Sequence, residues 1–325
     1  MQALAAHNHQ TDELPVLEVQ QPNSFIEANT IATTIEELES KHIVPVFSKD
    51  NETAISHVEF IETVHSVAQT YFNGTTILKP QIRVSHPIKG RVASARNKPA
   101  SELEEHEKTL YYERMAFTLE IPEISREIMG NRLNLVIGGV KSYHLDNLFN
   151  KKGSAENFKV FIGFQNKVCL NMCIWTDGLK DEIKVTNLQS LGATIHELIS
   201  GYNAKENLLQ MAEFATSYIT EHQFAQLIGK SKLYNYLPTS DKKLLPNFQF
   251  LDCHINSIAQ DYYSDQSFCR SSDGTINLWN LYNLFTGANR NSYIDKYLTR
   301  GVNASQFVSS LHNALRSNEK FWFIE

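Results

Sequence analysis

The sequence predicts an α+β protein, with an antiparallel sheet in the N-terminal and middle part packed with a C-terminal helical part. Two observations carry that class. Between Thr75 and Thr176, short apolar runs alternate with polar residues and are joined by hairpin-length connections, the pattern of antiparallel strands. From Leu188 onward, apolar residues recur at three- and four-residue spacing instead, the period of a helix. Strands followed by helices, rather than alternating with them, give α+β and not a parallel α/β sheet.

The elements follow in order. Residues 1–30, rich in Gln, Asn, Ala, Thr and Glu, read as a weakly ordered arm. A helix is expected near 52–72, capped by Asp50 or Asn51, carrying Val58, Ile61, Val64, Ala68 and Tyr71 on one face and ending at Gly74. Thr75–Val84 contains Pro80 and fits an edge or extended segment. Met115, Phe117, Leu119 and Ile121 alternate with polar neighbours as a half-buried strand, and after a Gly130-Asn131 turn Leu133, Leu135 and Ile137 do the same. Gly138-Gly139 is expected as a bend or bulge at that strand's end. Phe158–Phe164 and Val168–Thr176 read as a hairpin about Gln165-Asn166-Lys167. Leu188, Leu191, Ile195, Leu198 and Ile199 then share a helical face. Thr220-Glu-His-Gln223 is a capping box for a helix expected to stop at Gly229. Helices follow near 252–264 and 275–286, the latter ending at Gly287 with Trp279, Tyr282 and Phe285 as core. Asn303-Ala-Ser-Gln306 reads as a second capping box, opening a last helix to about Leu315. The expected organisation is an acidic arm over 1–45, a sheet domain over 46–185 and a helical part over 186–325. A core shared by the last two and two separate cores both fit the pattern.

Composition bounds the function without naming it. The chain has 325 residues, is 42% hydrophobic and carries a net charge of -6, as an average globular protein does. It has no apolar run of transmembrane length and no basic-then-apolar leader. Four cysteines are too few for a disulfide scaffold. A cytoplasmic protein without cofactor and without membrane association is therefore expected, with the sequons at Asn51, Asn73 and Asn303 as chance matches. Charge is unevenly placed: residues 1–63 hold eleven acids against Lys41 and Lys49, so the rest of the chain is net positive.

The strongest charge feature is Lys79–Lys98. It contains Lys79, Arg83, Lys89, Arg91, Arg96 and Lys98 with His86 and no acid, and its Pro and Gly residues make it an extended or looped ribbon. Such a ribbon can track a phosphate backbone, and Tyr111 and Tyr112 can offer stacking faces to single strands. The competing account pairs these cations with Glu102, Glu104, Glu105 and Glu107 or with the acidic arm, since charge runs are usually solvated faces. Arg290, in the amide-rich loop Thr286–Ser292, is a further candidate phosphate contact; a helix-capping turn is the plainer account. His254, Asp261 and Asp265, spaced by seven and four, would share a helical face and can hold a hard divalent ion or exchange protons, although N-caps, surface acids and a satisfied histidine are the plainer account. Cys169 and Cys173, four apart on a strand, are about 13 Å apart and too distant for a disulfide. Cys253, His254 and Cys269 lack the spacing of a zinc site. His196-Glu197 is followed by Ser200 where a zincin motif needs His.

Longer stretches resemble a known family. SHPIKGR (85–91), EKTLYYERMAFTLEIP (107–122), LVIGGVKSYHLDNLF (135–149), FKVFIGFQNKVCLNMC (158–173), TDGL (176–179) and LYNLFTGANRNSYIDKYLTRGVNA (281–304) resemble the bacterial DUF3871 family, itself similar to DUF932 phage- and plasmid-type proteins. The resemblance runs from about Ser85 to the C-terminus, leaving the acidic arm outside. It implies a mobile-element or phage-type protein of no agreed activity and supplies no catalytic residue. The expected function is a non-catalytic accessory protein binding single-stranded or duplex nucleic acid through the ribbon, and a homo-oligomer would concentrate its charge. The rivals are a metal-dependent enzyme acting on nucleic acid through His254, Asp261 and Asp265, and an interaction module aimed at a host factor.

Overall fold

A computed structural model describes residues 24–42, 54–146 and 155–325. The first 23 residues, with Asp12, Glu13 and Glu18 of the arm, and the expected caps Asp50 and Asn51 lie outside the described residues. The chain begins with β1 (Thr30–Thr33) and α1 (Ile35–Lys41), followed by α2 (His57–Tyr71). Ser56 caps α2 in a full capping box with Glu59, so this helix starts later than the expected cap at Asp50 or Asn51 implied.

The sheet is then laid down by β2 (Gln81–Ser85), β5 (Arg114–Ile128), β6 (Asn131–Ser142), β7 (Glu156–Asn166), β8 (Met172–Cys173) and β9 (Leu179–Val185). The order is β1-β2-β5-β6-β7-β8, with β9 also on β7, and every pairing is antiparallel. Two strands, β3 (Ile88–Arg91) and β4 (Lys108–Tyr111), pair with each other and, among the described residues, with no other strand, forming a separate ribbon. The β5–β6 turn is centred on Met129 and Gly130, both at positive φ, one residue earlier than expected and suited to the twist of a two-residue hairpin.

The central strands are buried on both faces, not one. Met115, Phe117, Leu119, Ile137, Val160 and Ile162 face one cluster, while Ala116, Val136, Val140 and Phe161 face a second. Phe60 of α2 covers the first face, in edge contact with Phe117 at 5.2 Å. Ile294, Tyr297, Leu298 and Val302 of α10 (Ile294–Ser317) cover the second. This double cover explains why β6 reads as a nearly continuous apolar run. Gly138 and Gly139 lie inside β6, not at its end. A Cβ at Gly138 would overlap the Phe117 carbonyl, and one at Gly139 would overlap the Phe60 ring, so both permit close strand and helix approach. The irregularity lies in β5 instead, between Ile121 and Ser125.

The helical part comprises α4 (Leu188–Gly201), α5 (Ala204–Phe214), α6 (Glu221–Tyr234), α7 (Thr239–Lys242), α8 (Asp252–Ser264), α9 (Leu278–Asn289) and α10, with a small β10–β11 pair (Tyr218–Ile219, Ile276–Asn277). The Thr220–Gln223 capping box is present, and α6 continues through Gly229 to Tyr234. Asn303 caps nothing: it is buried inside α10, where its Oδ1 accepts from the Gln249 amide at 2.8 Å and its Nδ2 donates to the Asn247 carbonyl at 2.9 Å. Trp279, Tyr282 and Phe285 are core, as expected. One hydrophobic cluster runs from Leu38 to Phe323 and includes sheet and helix residues alike. Its C-terminal part is aromatic, with Phe248, Phe285, Phe307 and Phe323 in mutual edge or tilted contact.

Candidate nucleic-acid interface and buried polar centres

The basic segment of the sequence is divided by the fold into spent and exposed cations. Arg83 on β2 is half-buried; its Nε donates to Thr30 Oγ1 at 3.0 Å and its Nη2 to the Thr30 carbonyl at 2.7 Å. It fastens the edge strand β1. Arg91 donates to the Lys98 carbonyl, and Lys98 pairs with Glu107 at 2.5 Å and with Glu104 at 4.0 Å. These contacts close the long β3–β4 connection on itself. His86, Lys89 and Arg96 are exposed and have no ion-pair partner among the described residues. Lys79 is also exposed, near enough to Glu36 to help lower that carboxyl's pKa, after the hydrogen bonds Glu36 receives. The ribbon is anchored below by a bridge between His42 and Leu110. Tyr112 is buried, 5.9 Å from the His42 ring, so it offers no open stacking face.

Arg290 is not available as a phosphate contact without rearrangement. Its guanidinium donates to the Ser24 carbonyl at 2.9 Å, to the Cys169 carbonyl at 3.0 Å and to Glu27. Its own carbonyl accepts from the amides of Glu27 and Ala28. The residue clamps the N-terminal segment to the loop after α9.

The helical triad separates. His254 is buried against Ser292, Arg300 and Cys253, while Asp261 and Asp265 line a different cleft with Arg290. His254 Nδ1 accepts from the Leu251 amide at 3.2 Å, so in its neutral form Nε2 carries the proton and donates to Ser292 Oγ at 3.2 Å. Ser292 Oγ also accepts from Arg300 and donates to Asn289 Oδ1 at 2.7 Å. With that tautomer the imidazole cannot deprotonate the serine, and the set serves packing. Burial pushes the His254 pKa down to about 4, with Arg300 adding to the effect. Among the described residues, no group of three His, Cys, Asp or Glu side chains is placed to hold a metal ion. All four cysteines are free thiols, and burial pushes the Cys169 thiol up to about 12, which makes it inert at neutral pH.

A charged centre that the sequence reading passed over lies where β6, β7 and α3 (Tyr143–Asp146) meet. Lys141 Nζ lies 2.7 Å from Asp146 Oδ2 and 2.7 Å from Glu156 Oε2, and all three side chains are buried. Glu156 further accepts from the Ile55 amide at 3.0 Å, and Asp146 from the Asn157 amide at 2.8 Å. The Phe158 ring lies beneath the ammonium at 4.1 Å, a favourable face for a desolvated cation. Beside it His57 stacks on His42 (4.6 Å) and lies tilted against Tyr143 (4.7 Å), the three rings being in mutual contact. His57 Nε2 donates to the Tyr112 carbonyl at 2.8 Å. Burial holds the His57 pKa well below its usual value, and burial takes His42 down to about 4. Because Lys141 is wholly enclosed, this centre ties the chain from Ile55 to Asn157 and presents nothing to a substrate.

Fold and surface together define an α+β protein with a doubly covered antiparallel sheet and a separate two-stranded ribbon bearing unspent cations. Residues 13–324 match the family described as "Domain of unknown function, B. Theta Gene description (DUF3871)", and the chain belongs to that family. The match begins well before Ser85 and takes in most of the acidic segment, so that segment is part of the family's pattern and not an addition to it. No curated protein and no solved structure matches the chain. Among the described residues no helix is long and apolar enough to cross a membrane.

Proposed function

We propose that this chain is a non-catalytic nucleic-acid-binding protein whose β3–β4 ribbon lies against the phosphates of a duplex. The observation that supports this reading is the ribbon itself: two strands apart from the main sheet, with Lys89, Arg96 and His86 exposed and without an ion-pair partner among the described residues, and Lys79 exposed ahead of β2. A two-stranded ribbon has the width that a DNA major groove admits. Burial of Tyr112 withdraws one of the two candidate stacking faces and leaves Tyr111 half-buried, which counts against the stacking platform that single-strand binders use. An accessory role on a mobile element belongs to the same proposal and rests on the family resemblance alone.

Three or four phosphate contacts give weak, salt-sensitive binding, with log K falling by about 0.9 per contact for each decade of salt. Fluorescence anisotropy with labelled duplex DNA, single-stranded DNA and RNA across a salt series tests this. The triple variant Lys79→Glu, Lys89→Glu, Arg96→Glu should lose duplex binding while its melting curve is unchanged, since none of the three makes a contact that holds the fold. Absence of duplex binding at low salt, or equal binding by the variant, would refute the reading.

A further inference from the structure

The cleft that Asp261, Asp265 and Arg290 line lies between the C-terminal turns of α8 and α9 and the loop carrying Cys169 and Asn171, with Glu27 at its rim. Its charged side chains with unspent hydrogen-bonding capacity are both carboxylates, while the exposed amides of Gln260 and Asn291 in its lining are neutral. Arg290, the cation of the cleft, already donates to two carbonyls and to Glu27. Asp261 makes no side-chain hydrogen bond among the described residues, and Asp265 uses Oδ1 for the amides of Ser267 and Phe268 at 2.8 and 2.7 Å, leaving Oδ2. Burial and the neighbouring Asp265 charge both raise the Asp261 pKa, as expected of carboxylates that share a space without a counter-ion.

Asn171 supplies an independent sign. It is 2% exposed, and its Oδ1 is buried without a donor among the described residues. Its Nδ2 donates to the Asn283 carbonyl at 2.9 Å, so turning the amide over would set oxygen against oxygen. A native protein seldom leaves such an acceptor unmet, and the missing partner must be a hydrogen-bond donor. The cavity volume is about 290 Å³, many times the roughly 30 Å³ share of one water and close to the lower end of small-molecule pockets. The side chains do not assemble three metal ligands of the usual His, Cys, Asp and Glu set among the described residues, whereas an ammonium donates three hydrogen bonds.

We propose that this cleft binds a small organic cation through an ammonium group shared by Asp261, Asp265 and Asn171 Oδ1. The proposal is independent of the ribbon and of any nucleic acid.

Isothermal titration of the full chain, free of nucleic acid, tests it with putrescine, with the uncharged 1,4-butanediol and with Mg²⁺ or Ca²⁺ as probes. Saturable one-to-one binding of putrescine is expected, with none of the diol. Asp261→Asn should weaken putrescine by about tenfold or more, the loss that follows from removing a charged acceptor, without lowering the melting temperature. Asn171→Leu, which removes the acceptor and keeps the bulk, should weaken it too. Absence of saturable putrescine binding, equal affinity in Asp261→Asn, or Asp261-dependent binding of the divalent ions alone would overturn the assignment.

Discussion

The polar groups buried behind the sheet and those buried among the helices are satisfied by different chemistry. At the sheet's end, Lys141, Asp146 and Glu156 are ions, and His42 and His57 are bases that burial keeps neutral. In the helical part, buried side-chain contacts are largely made by amides and hydroxyls: Asn303 to Gln249 and Asn247, Asn166 to Asn283, Ser305 to the Ile174 carbonyl. Ions gain strength when desolvated but become a liability once one partner is lost. Amides carry a smaller debt. The sheet's end should therefore be brittle and responsive to pH, and the amide and hydroxyl contacts of the helical part more tolerant and themselves indifferent to it.

Removing Lys141 is the severest way to try that contrast. Lys141→Ala leaves Asp146 and Glu156 buried beside each other without a cation and should cost about 3–5 kcal/mol, read from urea unfolding. Asn303→Ala strands the Gln249 amide and the Asn247 carbonyl in the helical part and should cost roughly 1–3 kcal/mol. If it cost as much as the lysine change, the contrast would fail. The subtlest test is pH. Both sheet-end histidines have folded pKa values below their unfolded value of about 6.5. The unfolded chain therefore binds protons first, and stability present above pH 6.5 is lost as the pH falls toward the folded values. Between pH 7 and pH 5 the urea midpoint of the wild type should drop, and His57→Phe should recover up to about 2 kcal/mol of that loss at pH 5. An equal drop in the variant would place the acid sensitivity elsewhere; His254, at about 4, and His312, which burial also holds below its usual value, are helical groups that would contribute.

Much of the architecture was legible because it depends on local pattern. Alternation marked the central strands, and Thr220 with Gln223 fixed the start of α6. What failed depends on contacts distant in sequence. Asn303 looks like a cap until Gln249, some fifty residues earlier, is seen to bind it. The half-buried reading of β5 and β6 missed the second cover because the residues that supply it, Ile294 to Val302, come at the far end of the chain. Arg83 reads as a free cation until Thr30 is placed beside it. The charged centre did leave a trace. Lys141 has the same strand parity as Leu135 and Ile137, which point into the main core, and Glu156 has that of Phe158 and Val160. A lysine in the core parity of a buried strand requires a buried acid, and Glu156 is one.

The Arg290 clamp also has a consequence for how the chain matures. Phe25 and Ile26 pack on Ile294 and Tyr297, and Ser24, Glu27 and Ala28 are bound by Arg290. The residues that receive this early segment are thus made more than 260 positions later. At a synthesis rate of about 5–20 residues per second, the segment is out of the ribosome for roughly 13–50 s before its berth exists. The sheet can assemble during that interval with its second face uncovered. Docking of residues 24–28 is then a late event, which can follow only after Arg290 to Tyr297 have been made.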